Sequence, residues 1–478
     1  MNRNKIGKVI LTTTFVLLIT VFIFGLGYLT GSLFNGGGSS GNDTPADLNT
    51  LNSVKSLLQQ EFLYGEDTDA YSDKLIDDAI RGMVDAQKDP YTVYMSAEEL
   101  NEFTSSLTAN FVGIGVRYSE LEDGILVSEV LDFSPAQAAG VQAGDIIVAV
   151  DGRDVKTFES EELLNAIRGL KGTDVTITVQ RGNDRLDITI TRDEIYTTVS
   201  SRVDGKVGIL TFNSFADGSV KEMKQHLDKL KKAGVTSLII DLRDNGGGYV
   251  STLDGVSAYF MKKGDIIMRE IDRYGYETID RCKSGPSYLY DRIVILINNN
   301  SASCSEVFTM AMIENCGAIT VGDVSYGKGV AQVTQMLKNG GALKYTDLKW
   351  VSPSGVSVSG TGIKPDYEVR LHEALYMNFL TLDEGETYQY DSVSEKLINL
   401  QYMLDFLGYD VDRLDGYFSQ KTAEALTAFQ KASGLNADGI LNSTTATRLN
   451  SAVVTAWGLQ REKYDTQMQK ALEVARGE

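Results

Sequence analysis

The chain has 478 residues, a formal net charge of −20, 42% hydrophobic residues and 23% charged residues. This length accommodates about two to four domains, and the composition is typical of globular protein. The acidic excess argues against DNA or RNA as a partner, because neutralising phosphates requires a basic surface. The three cysteines, Cys282, Cys304 and Cys316, predict neither a disulfide framework nor a CxxC zinc site.

The first predicted element is a membrane anchor. Three basic residues within residues 1–8 precede an uncharged run over residues 9–33, which is long enough to span a bilayer as a helix. The positive flank predicts that residues 1–8 stay in the cytoplasm and that the body of the protein lies outside it. A cleaved signal peptide shares these features, but no clear Ala-x-Ala site precedes Asn35, which favours an uncleaved anchor.

Composition and periodicity divide the rest of the chain into seven segments. They predict a Gly/Ser-rich linker at residues 34–48, a helical region at 49–107, a β-rich α+β domain at 108–196 and a larger mixed α/β region at 197–378. An acidic linker at 379–393, a small all-α domain at 394–453 and a terminal helix at 454–478 follow. The predicted fold class is therefore a mixed α/β multidomain protein.

The segment Gly322–Gln332, GDVSYGKGVAQ, reads Gly-x-x-x-x-Gly-Lys, like a nucleotide-binding P-loop. Gly329 stands where that motif requires Ser or Thr, and the next residues alternate like a strand instead of opening a helix. Lys328 is therefore expected to have a role other than phosphate binding.

Three apolar strands are predicted at residues 237–242, 292–298 and 318–322, and a helix precedes the third. The first strand ends in Arg-Asp-Asn-Gly-Gly-Gly and the second in Asn-Asn-Ser-Ala-Ser. Open α/β sheets bind ligands at the carboxyl ends of their strands, so the triple glycine and Ser303 are expected at one rim.

Ser303 would stand just before that helix, where backbone N–H groups favour negative charge. Its hydroxyl could attack a carbonyl while the Cys304 N–H and an N–H of the triple glycine hold the oxyanion. Serine is also a common helix cap, so this segment alone leaves a structural role open.

The base for such a nucleophile is expected to be a lysine. Of the two histidines, His226 lies in a predicted charged surface helix and His372 in an exit segment, which disfavours a Ser-His-Asp triad. A neutral lysine can do the same work if burial lowers its pKa by roughly two to three units. Lys328 has an apolar surrounding, and Gln332 could orient its amine without adding charge.

These motifs resemble the active-site region of the C-terminal processing (tail-specific) proteases, which carry Ser-Ala-Ser-Ala-Ser-Glu and Gly-Lys-Gly motifs. In that family the nucleophile and the lysine are 25 positions apart, as Ser303 and Lys328 are here. The resemblance implies a crotonase-like α/β protease core in which Ser303 attacks, Lys328 is the base and Gln332 is accessory. It also implies an oxyanion hole at Gly247 and Cys304, and neither metal nor organic cofactor.

Residues 108–196 resemble the PDZ domain inserted in this family. The predicted loop for a peptide carboxylate consists of Val112, Gly113, Ile114, Gly115 and Val116. Binding there implies an extended peptide with an apolar C-terminal side chain. Arg168 stands where relatives place an arginine and is predicted to signal peptide occupancy to the protease core, the alternative being a surface salt bridge.

Residues 400–439 resemble the type 1 peptidoglycan-binding domain, with an Asp-Gly turn repeated at residues 415 and 438. The resemblance implies cell-wall binding, with a small helical adaptor as the alternative. Relatives often dimerise through helical segments like residues 49–100, so a homodimer is a candidate assembly.

Together these features predict a membrane-anchored extracytoplasmic serine endopeptidase that recognises substrates by their C-terminal residues through its PDZ domain, at the cell wall. The alternative is a catalytically silent scaffold joining PDZ ligands to peptidoglycan. Such a scaffold would be expected to lack a dyad residue, and both are present.

Overall fold

The computed structural model describes residues 46–107, 110–121 and 124–478. It contains two compact units, the first formed by described residues up to 293 with 298–318 and 325–363, the second by residues 294–297, 319–324 and 364–478. No helix in the described ranges is long and apolar enough to cross a membrane. The predicted anchor at residues 9–33 lies outside those ranges.

The helices and strands of the described residues are labelled in chain order. Helices α1 to α13 span Ala46–Gln60, Asp69–Asp85, Ala97–Leu107, Pro135–Ala138, Ser160–Ile167, Ser219–Lys232, Val250–Ser257, Cys304–Cys316, Lys396–Phe406, Gln420–Ala432, Ser443–Leu459, Arg461–Tyr464 and Thr466–Arg476. Strands β1 to β19 span Val93–Met95, Asn110–Gly113, Val116–Leu121, Gly124–Val130, Ile146–Val150, Arg153–Asp154, Asp174–Arg181, Asp184–Thr191, Asp193–Tyr196, Val199–Asp204, Val207–Phe212, Ser237–Asp241, Ile266–Asp272, Glu277–Arg281, Arg292–Ile297, Ile319–Gly322, Val330–Met336, Ala342–Val351 and Tyr367–Glu368. Short 3-10 helices span Val155–Thr157 and Glu373–Leu375.

In the first unit, β11 pairs antiparallel with β10 and parallel with β12. All five residues of β12, SLIID, are buried, as expected for an apolar strand of a parallel sheet covered on both faces. Helix α6 makes the crossover that a parallel pair requires. It buries Met223, Leu227 and Leu230 and ends in lysines, which suit the negative end of a helix.

A second sheet of this unit has the order β1-β18-β13-β14, with β17 also paired to β18. The ten residues of β18 let one strand pair with β1, from the N-terminal region, and with β17, which carries Gln332. The register aligns Val93 with Lys344 and Gln332 with Thr346. This strand therefore brings residues distant in sequence to one place.

The inserted β-rich domain, also in the first unit, has a sheet of order β3-β4-β5-β7-β8, and β2 pairs with β9. Its core is built from inward-facing aliphatic side chains of these strands and of α5, including Ile125, Val127, Ile147 and Ile177. This alternation is the pattern expected of strands with one buried face. The predicted mixed α/β multidomain class is confirmed.

The second unit contains parallel pairs of β15 with β16 and of β16 with β19. Its helical core is lined by buried side chains of α9, α10 and α11. The predicted linker at 379–393 packs on this core through Leu380 and Tyr388, and α11 continues unbroken across residues 453 and 454. The Gln467 amide of α13 donates to the Val369 carbonyl, 2.8 Å away.

The repeated Asp-Gly turns of the helical core have the same support. The Gln401 Oε1 accepts from the Gly416 N–H and the Gln430 Oε1 accepts from the Gly439 N–H, each at 2.9 Å. Both glutamines are fully buried, and both glycines have positive φ, which glycine adopts without strain. The sequence repeat therefore reflects one structural unit used twice.

Candidate active site

Three serines precede or begin α8, and their hydroxyls differ in hydrogen bonding. The Ser301 hydroxyl donates to the Leu242 carbonyl and the Ser305 hydroxyl to the Asn245 carbonyl, both at 2.7 Å. The Ser303 side chain is fully buried, yet its hydroxyl has no hydrogen bond of normal geometry within the described residues. Ser303 thus differs from Ser301 and Ser305, because its hydroxyl forms no hydrogen bond to a backbone carbonyl.

The backbone of Ser303 is strained. Its φ of 56° and ψ of −117° lie where L-residues other than glycine are rarely found, and such conformations gather at functional sites. The following residue, Cys304, begins α8, so its N–H has no intrahelical acceptor. Burial raises the pKa of the Cys304 thiol to about 12, which keeps it protonated and makes it a poor competing nucleophile.

Glu306 holds the backbones of the predicted nucleophile and base together. Its Oε2 accepts from the Ser303 N–H at 2.9 Å and from the Lys328 N–H at 2.8 Å. Its Oε1 accepts from the Gly327 N–H at 2.7 Å and from the Ser325 hydroxyl at 2.6 Å. Burial raises the pKa of this carboxyl although four donors stabilise its charge. Sequence reasoning missed Glu306, and the available signal was the Ser-x-x-Glu spacing of a capping box.

Lys328 is 2% exposed, and its amine lies 4.9 Å from the centre of the Tyr91 ring. Burial is the main cause that lowers the pKa of Lys328 to about 7. The flanking glycines are required by close packing. A Cβ on Gly327 would lie 2.8 Å from the Gly362 nitrogen, and one on Gly329 would lie 2.6 Å from the Ser359 Cβ.

Gln332 is fully buried on β17. Its Nε2 donates to the Thr346 hydroxyl at 3.3 Å, and this hydroxyl donates to Asp89 at 2.6 Å. The Gln332 Oε1 is buried without a hydrogen-bond partner among the described residues. An amide oxygen held in this way is suited to accept from an amine. The sequence does not connect Asp89 and Thr346 with Gln332, because their link depends on pairing through β18.

The triple-glycine loop is held closed. The fully buried Asn245 donates to the Phe212 carbonyl at 2.7 Å, and its Oδ1 accepts from the Gly247 N–H at 2.8 Å. The Gly247 N–H predicted for the oxyanion hole is therefore occupied in this structure. Binding an oxyanion there requires the bond to Asn245 to be exchanged.

A cavity of about 500 Å³ lies beside Lys328. Two tyrosines, Tyr91 and Tyr326, form part of its wall with Asp89, Thr346 and Ser359. Ser303 does not line it and is fully buried. Attack by Ser303 on a polypeptide therefore requires a rearrangement that exposes the hydroxyl.

The predicted carboxylate loop lies at the junction of two strands. Val112 and Gly113 pair with β9, Ile114 and Gly115 connect the strands, and Val116 begins β3. Gly115 has a φ of 83°, and a Cβ there would lie 2.4 Å from the Ser134 Cβ.

Arg168 caps the end of α5, and its guanidinium lies 5.0 Å from the centre of the Phe111 ring. The structure thus places Arg168 beside Phe111, the residue that precedes the carboxylate loop. It does not line the cavity beside Lys328.

The β-rich domain contacts α6 next to this loop. Leu131 donates from its N–H to the Gly115 carbonyl, and the adjacent Asp132 forms an ion pair with Lys229 at 2.6 Å. The Phe133 and His226 rings meet edge to face at 5.0 Å. His226 lies in the helix that the sequence predicts as a charged surface helix, but its own side chain packs against Phe133 and is only 2% exposed. Burial lowers the pKa of His226 to about 4.

These features define a serine peptidase core with an inserted peptide-binding domain, and comparisons with known proteins agree. The family model of peptidase family S41 matches residues 206–369, and the PDZ domain model matches residues 112–191. The model of a peptidoglycan binding domain matches residues 393–449, and that of the activating protease CtpB N-terminal domain matches residues 33–99.

A Staphylococcus aureus protein described as "Probable CtpA-like serine protease" is 32% identical over 90% of this chain and 85% of its own length. A Staphylococcus epidermidis protein of the same description is 32% identical over 86% of this chain and 82% of its own length. The chain therefore belongs to peptidase family S41, the C-terminal processing proteases, and is a serine-type peptidase.

A solved photosystem II D1 C-terminal processing protease is 22% identical, with a TM-score of 0.39, over 68% of this chain and 92% of that chain.

Proposed function

We propose that this peptidase is a membrane-anchored extracytoplasmic endopeptidase that uses a Ser303–Lys328 dyad and selects substrates by their C-terminal residues. The main support for the dyad is that one oxygen of Glu306 accepts hydrogen bonds from the backbone N–H groups of both Ser303 and Lys328. A buried lysine with a pKa of about 7 and a serine hydroxyl that forms no hydrogen bond to the fold, with backbones joined by Glu306, are suited to proton transfer.

In the proposed mechanism, neutral Lys328 takes the proton from the Ser303 hydroxyl as its oxygen attacks the scissile carbonyl. The Cys304 N–H and the Gly247 N–H, once released from Asn245, hold the oxyanion. Lys328 then gives the proton to the leaving amine. In the second half-reaction Lys328 takes a proton from the water that attacks the acyl-enzyme, and it returns this proton to the Ser303 oxygen as the ester bond breaks. Gln332 orients the Lys328 amine through its buried Oε1 and introduces no charge that would hold the lysine protonated.

The closed geometry supports regulation by the PDZ domain. Ser303 is buried and the Gly247 N–H is bonded to Asn245, and in this proposal that geometry is the resting arrangement of the enzyme. The carboxylate loop contacts the segment that meets α6 through Asp132 and Phe133. A peptide bound at the loop could thus be sensed by the core, with Arg168 beside the loop as the contact for the bound peptide.

We expect a free peptide with an apolar C-terminus to stimulate wild-type cleavage of an unfolded protein by about tenfold or more. A peptide ending in two aspartates should have no effect, because the loop is proposed to select an apolar terminal side chain. Arg168→Ala should abolish the stimulation, whereas Arg185→Ala, an exposed arginine of the same domain, should retain it. Undiminished stimulation of Arg168→Ala would exclude Arg168 as the sensor.

Three further parts of the proposal concern location and assembly. The apolar run at residues 9–33 supports a single-pass anchor with a cytoplasmic N-terminus, and the peptidoglycan-binding domain supports localisation at the wall. Exposed apolar residues of α1, including Leu51, Val54 and Leu57, support a homodimer. Fractionation of cells, sedimentation with insoluble peptidoglycan and light scattering test these statements; a soluble, unbound monomer would contradict all three.

A further inference from the structure

A second buried lysine lies near the proposed dyad and has no role in the proton transfers above. Lys344 is 6% exposed on β18, where it pairs with Val93 of β1 and Thr334 of β17. Alternate residues of a strand share a face, so Lys344 lies on the same face of β18 as Thr346, the hydrogen-bond partner of Gln332. Lys344 is thus two residues along β18 from Thr346, which accepts a hydrogen bond from Gln332, the residue proposed to orient the base.

The surroundings of the Lys344 amine are apolar. The amine lies 5.3 Å from the centre of the Phe103 ring, and Phe103 packs with Met95 and Ala342. In the part of the chain that the structure describes, no carboxylate forms an ion pair with Lys344. Burying an amine in this way is unfavourable, and a methionine of similar length would fill the space without that penalty. Stability therefore does not explain a lysine at this position.

We propose that Lys344 acts through Lys328: its buried positive charge repels a proton from the Lys328 amine and keeps the general base neutral at working pH. This inference rests on the proposed Ser303–Lys328 dyad. Lys344 touches neither substrate nor the reacting atoms in this scheme. Its effect would be electrostatic and would depend on the low dielectric of the site, where charges interact more strongly than in water.

The charges around the two lysines agree with this role. After burial, repulsion from Lys344 is the next cause that lowers the pKa of Lys328. Glu306, Asp89 and the Cys304 thiol act in the opposite direction. Burial also lowers the pKa of Lys344, to about 8, while Asp89 opposes that shift.

Because the pKa of Lys344 is the higher of the two, Lys344 keeps its proton over a pH range in which Lys328 loses its own. One positive charge then remains in the site, and it resides on the lysine that takes no part in catalysis. Removing that charge would let Lys328 hold its proton to higher pH.

The test is the pH dependence of kcat/KM for the full-length chain carrying Lys344→Met. The acidic limb is expected to move to higher pH by about half a unit to one unit, so that activity at pH 7 falls about two- to fivefold and recovers near pH 9. Stability in denaturant should be equal to or greater than wild type. Lys344→Arg, which keeps the charge, should restore the limb, and Lys338→Met, which removes an exposed charge from the same hairpin, should leave it in place.

Three results would overturn the inference. The first is an acidic limb that does not move in Lys344→Met, which would show that the Lys344 charge does not act on Lys328. The second is a uniform loss of activity at all pH values and the third is a Lys344→Met protein that fails to fold, and either would assign Lys344 a packing role. Lys328→Ala separates this failure from failure of the dyad. If Lys328→Ala still cleaves, the base is misassigned; if it is inactive and the Lys344→Met limb is unmoved, only the role of Lys344 is wrong.

Discussion

Lys328→Ala is expected to lower kcat/KM by about a thousandfold or more while the protein stays folded, because the proposed general base is removed. Residual activity should reflect the oxyanion donors and substrate binding alone. Cleavage of an unfolded protein with an apolar C-terminus measures the loss, and circular dichroism checks the fold. The matched control is Lys338→Ala, an exposed lysine in the hairpin after β17, which should cleave like wild type. Substantial cleavage by Lys328→Ala would show that another group is the base.

The same assignment fixes the direction of the wild-type pH profile. Only neutral Lys328 can accept the serine proton, and its pKa is lowered to about 7. The value of kcat/KM should therefore rise through about pH 7 as the amine loses its proton. A lysine with an ordinary pKa near 10.4 would place this rise more than two units higher, which would contradict the burial argument.

Glu306→Gln is expected to lower kcat by about a hundredfold or more and to reduce the free energy of unfolding by about 2–4 kcal/mol. The carboxylate accepts four hydrogen bonds, two at each oxygen. An amide of the same shape keeps one acceptor oxygen and directs its NH₂ at N–H or O–H donors. The loss should appear in kcat, because the relative placement of Ser303 and Lys328 is disturbed.

The control for Glu306→Gln is Glu314→Gln on the same helix, where the carboxylate bonds to exposed Ser354. It should leave kcat within about twofold of wild type, since exposed interactions contribute little. A Glu306→Gln protein with wild-type kcat would show that its carboxylate does not determine the geometry of the dyad.

Local sequence signals predict the structural features that lie within short motifs. The assignment of Ser303 and Lys328 comes from the resemblance to the family's 25-residue spacing and stays a prediction, and Glu306 accepts from the backbone N–H groups of both residues. The apolar strand SLIID and the glycine-bounded turns likewise follow from burial and backbone conformation. These features could be predicted because a few adjacent residues determine each of them.

Features that depend on distant pairing could not be predicted. Asp89 reaches Gln332 only because β18 pairs with both β1 and β17. His226 is buried because the inserted domain presents Phe133 to α6. Asn245 and Gly247 are neighbours in sequence, yet their hydrogen bond could not be predicted either. The Asn245 side chain is one of several groups that could accept from a loop N–H, and the sequence does not determine which group does.

The most direct test of the central claim is to trap the acyl-enzyme. A single turnover of the full-length protein with an unfolded substrate is quenched in acid, and the digested enzyme is mapped by mass spectrometry. We predict an ester on the peptide that contains Ser303. In Ser303→Ala we predict that this ester is absent and that cleavage is lost. An acyl group on another residue, or continued cleavage by Ser303→Ala, would contradict the assignment of Ser303 as the nucleophile.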